Sequence, residues 1–203
     1  MARTAIVDYG LCNLDSIRRT VEECGGDPVV TDRPADVAAA ERMILPGVGA
    51  FPDAMRNLRA QGLDRAIRER VGAGIPLLGI CLGMQLLASC GTEGEPTEGL
   101  GLLHANVKRL VPVDGERIPH IGWNEVVHER PSPLTDGIES GRDFYFVHSY
   151  HVDCAVGGSV VARTPYCGGF VSVVQSGRVF GTQFHPEKSQ KSGLRLLRNF
   201  LAI

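Results

Sequence analysis

A buried strand, a sharp turn and the start of a helix are predicted within Pro76–Leu87. Leu77–Ile80 is a short apolar run, Cys81 follows it directly, and Gly79 and Gly83 stand two residues to either side of the cysteine. The pattern G-x-C-x-G is the thiol counterpart of the nucleophile elbow G-x-S-x-G, which lifts a nucleophile above the edge of a parallel sheet. A lone cysteine is more often a small buried residue. The flanking glycines, and the thiolate stabilisation that a helix N-terminus gives, favour a reactive thiol.

The composition is that of a globular protein that acts on a small molecule. Of 203 residues, 22% are charged and the formal net charge is −2, so neither disorder nor binding to nucleic acid is expected. Without a signal peptide or an apolar run of ~18 residues, the sequence predicts a cytoplasmic protein that avoids membranes, with one domain over residues 1–203. The six cysteines include no C-x-x-C pair, which argues against a zinc site and a disulfide framework. We expect no metal and no cofactor.

Strands and helices alternate in the first half, which predicts an α/β fold with a mostly parallel sheet flanked by helices. The second half is richer in strands, as is typical of antiparallel pairing, and Thr92–Gly99 is predicted to be a surface loop with solvated acids. Predicted strands of the first half are Thr4–Val7, Pro28–Thr31, Met43–Leu45 and Leu77–Ile80, and predicted helical segments are Leu14–Cys24, Ala35–Arg42 and Pro52–Val71. Later extended segments are Gly101–Leu110, Ile121–Val127, Phe144–Val152, Ser159–Thr164, Phe170–Gln175 and Val179–Phe184, before a helix over Gln190–Leu201.

A histidine and an acid that could serve the thiol occur far along the chain, within Gly181–Glu187. His185 and Glu187 are two residues apart, which places both side chains on one side of an extended chain, and Pro186 restricts the backbone between them. A carboxylate beside an imidazole orients it for proton transfer to and from a nucleophile. Alone, this segment is equally typical of a surface turn. Together with the cysteine elbow, it favours a triad of Cys81, His185 and Glu187.

Acyl chemistry also requires N–H donors directed at the developing oxyanion, each worth about 2.7–4 kcal/mol. The N–H of Leu82, directly after the cysteine, is one candidate. A second is a backbone amide in Pro46–Gly49, where glycines after a strand allow amides to point into a crevice. Such a turn by itself is more often an ordinary connection between a strand and a helix.

Short motifs related to this chemistry are spread over nearly the whole chain. They are Asp8-Tyr9-Gly10, Pro46-Gly47-Val48-Gly49, Gly79-Ile80-Cys81-Leu82-Gly83-Met84-Gln85-Leu86-Leu87, Gly99-Leu100-Gly101-Leu102-Leu103, Ile121-Gly122-Trp123-Asn124, Tyr145-Phe146-Val147-His148-Ser149-Tyr150 and Phe184-His185-Pro186-Glu187-Lys188-Ser189. With the turn P-G-x-G, the elbow G-x-C-L-G-x-Q and F-H-P-E, the chain resembles the class I (triad) glutamine amidotransferases. Within that class, I-G-W-N, F-V-H-S-Y and P-E-K-S make it similar to the glutaminase subunits of imidazole glycerol phosphate synthases.

The resemblance implies hydrolysis of glutamine to glutamate and ammonia, with the ammonia passed to a (β/α)₈-barrel cyclase subunit. That partner, in a heterodimer, would form imidazole glycerol phosphate and an aminoimidazole carboxamide ribotide in histidine biosynthesis. The resemblance assigns Cys81 as nucleophile, His185 as base and Glu187 as orienting acid, with the amides of Val48 and Leu82 as the oxyanion hole. It assigns the substrate's α-carboxylate and α-amine to Gly49, Gln85, His148, Ser149 and Tyr150. It places at the partner interface Trp123, Asn124, Tyr145 and Lys188.

The resemblance also implies a form of regulation, and the chain departs from the family pattern at one position. In this subfamily the amide of the residue at Val48 points away until the partner binds its nucleotide, which implies weak glutaminase activity for the chain alone. The family usually reads D-Y-G-x-G-N where this chain has Cys12 in place of the second glycine. A positive φ at Cys12 would be costly for a residue that is not glycine.

Three other functions fit parts of the pattern. One is a glutaminase of the same class that serves anthranilate, guanylate, carbamoyl phosphate or pyridoxal phosphate synthesis, and Trp123 and Lys188 argue against it. Another is a different thiol enzyme on the same elbow, such as a peptidase. The third is a binding subunit without activity, which the joint presence of Cys81, His185 and Glu187 disfavours.

Overall fold

The computed structural model describes residues 3–113, 115–154 and 157–203. Its helices are α1 (Leu14–Glu23), α2 (Pro34–Ala38), α3 (Phe51–Ala60), α4 (Leu63–Gly72), α5 (Leu82–Leu86) and α6 (Gln190–Ala202). Its strands are β1 (Arg3–Val7), β2 (Asp27–Thr31), β3 (Arg42–Leu45), β4 (Leu77–Ile80), β5 (Cys90–Gly91), β6 (Thr97–Glu98), β7 (Ala105–Arg109), β8 (His120–His128), β9 (Arg142–His148), β10 (Tyr150–Cys154), β11 (Val160–Thr164), β12 (Phe170–Ser176) and β13 (Val179–Thr182).

One large sheet joins a parallel half to an antiparallel half. Its strand order is β2-β1-β3-β4-β13-β12-β11-β8-β9. Pairing is parallel from β2 to β13 and antiparallel from β13 to β9. A smaller sheet has the order β10-β7-β5-β6. The prediction of an α/β fold with a mostly parallel first half and an antiparallel second half is confirmed.

Helices cover both faces of the parallel half, and the strand residues alternate between them. Ala5 and Val7 of β1 pack into the core with residues of α3 and α4, including Met55 and Ile67. Ile6, between them in sequence, packs on the opposite face with residues of α1 and α6, among them Val21, Leu196 and Phe200. Strands buried on both faces read as continuous apolar runs, which is why these segments were predictable.

The sheet places the two catalytic candidates on neighbouring strands. β4 pairs with β13 in parallel, with Ile80 opposite Thr182. Cys81 follows β4 directly, and His185 follows β13 after a connection of two residues. Because the carboxyl ends of parallel strands meet at one edge, the sulfur and the imidazole reach the same end of the sheet.

Several predicted boundaries are wrong for identifiable reasons. The predicted helix Ala35–Arg42 is only the short α2, because Arg42 already begins β3. The predicted helical region Pro52–Val71 is two helices, α3 and α4, separated at Gly62, whose φ of +70° ends the regular path of the chain. The predicted extended segment Phe144–Val152 is interrupted at Ser149, so that β9 joins the large sheet and β10 the small one.

Candidate active site

In the predicted nucleophile elbow, the residue with the strained backbone conformation is the cysteine itself. Cys81 has φ 54° and ψ −111°, a conformation that residues other than glycine rarely adopt, and its N–H donates to the Thr182 carbonyl at 2.8 Å. The flanking glycines serve close packing: a Cβ on Gly83 would lie 1.7 Å from the Leu45 oxygen, and one on Gly79 would lie 2.7 Å from the Gly83 oxygen. Cys81 therefore sits at the N-terminus of α5 in a strained turn that tight packing maintains.

The predicted base and its predicted orienting acid form a buried pair. His185 Nδ1 and Glu187 Oε1 are 2.8 Å apart, and both side chains are almost fully buried. The backbone of His185 is held at both ends, since its N–H donates to the Tyr145 carbonyl at 3.0 Å and its carbonyl accepts from the Ser189 hydroxyl at 2.6 Å. A carboxylate on Nδ1 leaves Nε2 as the atom that exchanges protons with a nucleophile.

The charge state of His185 is set by its two neighbours. Burial lowers the pKa of His185, but hydrogen bonding and charge interactions with Cys81 and Glu187 outweigh burial and raise the pKa to about 10. Within the described residues, Nε2 is buried and has no well-formed hydrogen bond. Both neighbours therefore favour the protonated form of the ring. Because Glu187 occupies Nδ1, the interaction with Cys81 falls to the other ring nitrogen, Nε2.

A pocket of about 240 Å³ opens beside the sulfur. Its walls come from the turn after β3, the start of α5, the loop after β5 and the junction of β9 with β10. The lining residues are Val48, Gly49, Cys81, Leu82, Gln85, Glu93, Val147, His148, Ser149 and Tyr150. A larger surface cavity of about 500 Å³ lies near Pro131 and Ile203. It contains none of the predicted site residues, so the smaller pocket is the candidate substrate site.

The two predicted oxyanion donors differ in whether the backbone N–H already has an acceptor in the protein. Leu82 is the first residue of α5, where a backbone N–H has no acceptor within the helix. The N–H of Val48, in contrast, donates to the Leu11 carbonyl at 2.8 Å. Val48 is 42% exposed, and Gly49 beside it has φ +110°. Leu82 therefore brings to the pocket lining an amide without an acceptor in its own helix, whereas the Val48 amide is already bonded.

The residues predicted to bind the substrate line the pocket together, but Gln85 is largely committed to the protein. Its Nε2 donates to the Tyr150 carbonyl at 2.9 Å and to Gln183 Oε1 at 3.1 Å. Gln183 is fully buried, and its own Nε2 lies 3.8 Å from Cys81 Sγ. Gln85 therefore supports the wall of the pocket and the nucleophile, in addition to facing the cavity.

The site contains an acidic residue that was not predicted. The acids of Thr92–Gly99 were predicted to be solvated, and for Glu93 this is wrong: its Oε2 accepts from the Phe51 N–H at 2.8 Å, and the residue lines the pocket. Phe51 begins α3, so the carboxylate also lies at a helix N-terminus, where negative charge is favoured. No local pattern distinguishes this acid from Glu95 or Glu98 in the same loop.

The residues predicted to face a partner lie on and beside β8 and β9. Trp123 is 47% exposed and its ring meets that of Tyr145 at 6.1 Å, edge to face. Lys188 Nζ lies 5.7 Å from the centroid of the Tyr145 ring. Asn124 is half-buried, and the neighbouring Ile121 is 60% exposed. An exposed apolar group of this kind is typical of an interaction surface.

The loop that contains Cys12 adopts no unusual backbone at that residue. The positive φ lies at Gly10, at +87°, and not at Cys12. The Cys12 thiol lies 3.6 Å from the Pro46 carbonyl, which also accepts from the Tyr9 hydroxyl at 2.8 Å. Cysteine is therefore accommodated there without strain, and it touches the turn that contains Val48.

Neither a metal site nor a membrane span stands out in the described ranges. No group of three or more His, Cys, Asp or Glu side chains in residues 3–113, 115–154 and 157–203 could hold a metal ion. Across the same ranges, none of the helices has the length and hydrophobicity to cross a bilayer.

Comparison with known proteins agrees with this arrangement. The family model described as "Glutamine amidotransferase class-I" matches residues 5–203, and the chain belongs to that family. It is 50% identical over 200 residues to "Imidazole glycerol phosphate synthase subunit HisH" of Moorella thermoacetica, with 98% of this chain and 94% of the relative covered. It is 48% identical to the protein of the same name from Symbiobacterium thermophilum, with 98% and 93% covered. A solved structure of a glutamine amidotransferase, at 22% identity, superposes with a TM-score of 0.75 over 98% of this chain and 97% of that one, which shows the shared fold.

Proposed function

We propose that this chain is the glutaminase subunit of an imidazole glycerol phosphate synthase, acting as a single domain in histidine biosynthesis. It would hydrolyse glutamine and supply the ammonia to a (β/α)₈-barrel cyclase subunit. The observation that carries the proposal is a strained, buried Cys81 beside a buried His185–Glu187 pair, at a pocket sized for an amino acid. The names of the relatives, at about half sequence identity, support the particular synthase.

The first chemical step forms a thioester on Cys81. The thiolate attacks the carboxamide carbon of glutamine, and the negative charge that develops on the oxygen is stabilised by the Leu82 amide. His185, whose pKa Cys81 and Glu187 raise, acts as an imidazolium and transfers its Nε2 proton to the departing nitrogen as the C–N bond breaks. Ammonia leaves, and the glutamyl group remains on the sulfur.

The second step returns the enzyme to its starting state. Neutral His185 takes a proton from water, which attacks the thioester carbon, and the C–S bond breaks to release glutamate and the thiolate. Glu187 stabilises the imidazolium in both steps and keeps Nε2 directed at the site. Protons and charge balance over the cycle, so no metal or cofactor is required.

Substrate recognition is assigned to the charged and polar groups of the pocket. The Glu93 carboxylate would pair with the α-ammonium of glutamine, because an opposite charge at this position avoids an unpaired ion in a half-enclosed site. Gly49, Gln85 and the His148–Tyr150 segment would hold the α-carboxylate. Glutamine placed in this way points its carboxamide towards Cys81.

The partner would complete the oxyanion hole. In the structure the Val48 amide is bonded to the Leu11 carbonyl, so a rotation of the turn is needed before it can serve the substrate. Trp123, Asn124, Tyr145 and Lys188 are proposed to contact the barrel subunit. Binding there that favours the rotated turn would raise the glutaminase rate, since an added oxyanion donor is worth about 10²–10³ in rate.

The test is ammonia release from glutamine, measured with and without the cyclase subunit of the same organism. Wild type should be slow alone and much faster with the cyclase, while Cys81→Ala should lose about 10⁶-fold, as loss of a triad nucleophile does. Cys90→Ala, half-buried and outside the pocket, should behave as wild type. Equal activity of Cys81→Ala and wild type would rule out the proposed chemistry.

A further inference from the structure

His120 connects the strand proposed to face the partner with the wall of the substrate pocket. It begins β8, is only 4% exposed, and its ring is held on both faces, stacked on Tyr166 at 4.1 Å and tilted on Phe146 at 4.9 Å. His120 Nδ1 lies 3.1 Å from His148 Nε2, and His120 Nε2 lies 3.2 Å from Asn124 Nδ2. A ring that is packed and bonded in this way has little freedom to reorient.

The direction of these hydrogen bonds is fixed from the side of Asn124. The Asn124 Oδ1 atom accepts from the Glu125 backbone N–H at 2.9 Å, and only an oxygen can do so. Nδ2 of Asn124 must then face His120 as a donor, which makes His120 Nε2 an acceptor. A neutral imidazole with an accepting Nε2 carries its proton on Nδ1, so His120 donates to His148.

The same direction follows independently from the pocket side. His148 Nδ1 lies 2.8 Å from the Tyr150 carbonyl, which can only accept, so His148 carries its proton on Nδ1 and accepts through Nε2. The Tyr150 carbonyl also accepts from Gln85 Nε2. Gln85 donates in turn to Gln183 Oε1, which leaves the Gln183 amide N–H directed at the Cys81 sulfur.

We propose that His120 is a positioning residue for glutamine hydrolysis: its bond to His148 Nε2 holds the His148 ring on the Tyr150 carbonyl and, through that carbonyl, the amides of Gln85 and Gln183 beside Cys81. The inference rests on the proposed function and adds to it a hydrogen-bonded route from β8 to the nucleophile. The contacts at the two ends of the route, with the Glu125 N–H and with the Tyr150 carbonyl, each require that His120 donates to His148. Neither requirement depends on the other.

Burial supports the neutral state that this polarity needs. It lowers the pKa of His120 to about 4, outweighing the nearby Glu116 carboxylate. It lowers the pKa of His148 to about 3, outweighing the bond to Tyr150, while His120, His151 and His185 lower the pKa of His148 further. A second proton on either ring would place two donors face to face at a buried contact.

The direct test is the imidazole ¹⁵N spectrum of the full-length protein at pH 7. Both His120 and His148 are expected as neutral rings protonated on Nδ1. In His120→Phe, which keeps an aromatic ring between Tyr166 and Phe146, the His148 signals are expected to shift because Nε2 loses its donor. An Nε2-protonated or doubly protonated ring in wild type, or an unchanged His148 spectrum in the variant, would overturn the proposal.

Kinetics with the partner subunit provide the functional measurement. His120→Phe should raise KM for glutamine about tenfold, equivalent to about 1.4 kcal/mol, with a smaller change in kcat. His120→Gln, whose amide can donate to His148 and accept from Asn124, should restore KM at least in part. The matched control is His128→Phe on the same strand, where the buried Nε2 has no hydrogen-bond partner within the described residues, and its KM should be that of wild type.

Equal KM values for His120→Phe and His128→Phe, with both proteins folded, would show that His120 fills space only. If wild type released no ammonia from glutamine, the proposed function would fail. The ¹⁵N spectra would still decide whether His120 sets the state of His148.

Discussion

The elbow at Cys81 and the turn at Pro46–Gly49 both line the candidate active-site pocket, yet they are held very differently. The elbow is buried, with the Cys81 N–H bonded to the neighbouring strand and glycines packed against backbone at distances that exclude any Cβ. The turn is partly exposed, and its Val48 amide is bonded to Leu11, away from the pocket. In the proposed mechanism, the elbow that would form the covalent bond already has its final geometry, whereas the turn that would stabilise the oxyanion must first rearrange.

This difference suggests that any regulation of the glutaminase rate acts through the turn at Pro46–Gly49, because the turn is held by fewer contacts than the elbow. A strained cysteine in tight packing changes only if the core changes, and packed cores resist small deformations. A turn fastened by one backbone hydrogen bond can exchange that bond for one to a substrate, because the net contribution of such a bond is about 0.5–1.5 kcal/mol. If a partner binds at the β8–β9 surface as proposed, it needs to supply only a small free energy to favour the rotated turn.

The strongest test of the ready side is Glu187→Gln. The amide keeps the shape but not the charge beside His185, and loss of the orienting acid in a triad lowers kcat by about 10⁴-fold. The pH profile should also change. The Glu187 carboxylate raises the pKa of His185, and His185 must be protonated to release ammonia, so the alkaline limb should move to lower pH in the variant. Steady-state ammonia release from pH 6 to 10 measures both effects.

Glu98→Gln is the control for this change, because the Glu98 side chain is 89% exposed on the surface hairpin. It should match wild type in rate and in pH profile. An alkaline limb that stays in place in Glu187→Gln would mean that Glu187 does not set the charge state of His185.

The next largest effect is expected at the turn, in Val48→Pro. Proline has no N–H, so the variant can form neither the bond to Leu11 nor the one to the oxyanion. The rate stimulated by the partner should fall about 10²–10³-fold, while the slow rate of the chain alone changes little. Val48→Ala keeps the amide and should retain stimulation. A stimulated rate in Val48→Pro equal to wild type would remove Val48 from the oxyanion hole.

The smallest effect is expected in Tyr9→Phe, which removes the hydroxyl that donates to the Pro46 carbonyl at 2.8 Å. Thermal or urea unfolding should show a loss of about 1 kcal/mol, and the unstimulated glutaminase rate should rise a few-fold as the turn loosens. Thr135→Val removes another buried hydroxyl bonded to a carbonyl, that of Ser132 at 3.3 Å. Thr135→Val should lose similar stability without any change in the unstimulated rate. If that rate rose in both variants, the increase in Tyr9→Phe could not be attributed to loosening of the turn.

The parts of the fold that were predictable are those with strong local signals. Continuous apolar runs gave the parallel strands, and the elbow and the His-Pro-Glu segment gave the triad candidates, because each pattern occupies a few adjacent residues. The break at Ser149 was missed since both flanking segments are extended, and only the sheet that each one joins distinguishes them. The division of the α3–α4 region at Gly62 was missed because one glycine within a helical pattern is often tolerated.

The features missed in the site depend on contacts between distant segments. Glu93 belongs to the pocket because its loop reaches the start of α3, 42 positions earlier in the sequence. The bond between Val48 and Leu11 and the route through His120 likewise join residues whose proximity follows from sheet order. Residue type and spacing do not encode such pairings, so only a folded backbone reveals them.

The pairing of β4 with β13 has a consequence for how such a protein can diverge. Nearly a hundred residues, 82–178, form an excursion between the two strands, yet the spacing of sulfur and imidazole is governed by a backbone ladder in which Ile80 opposes Thr182. Insertions and deletions in the loops of that excursion need not change the register of this ladder. If β8 and β9 contact a partner as proposed, a lineage could change that surface, and with it the protein that receives the ammonia, while keeping the same hydrolytic residues.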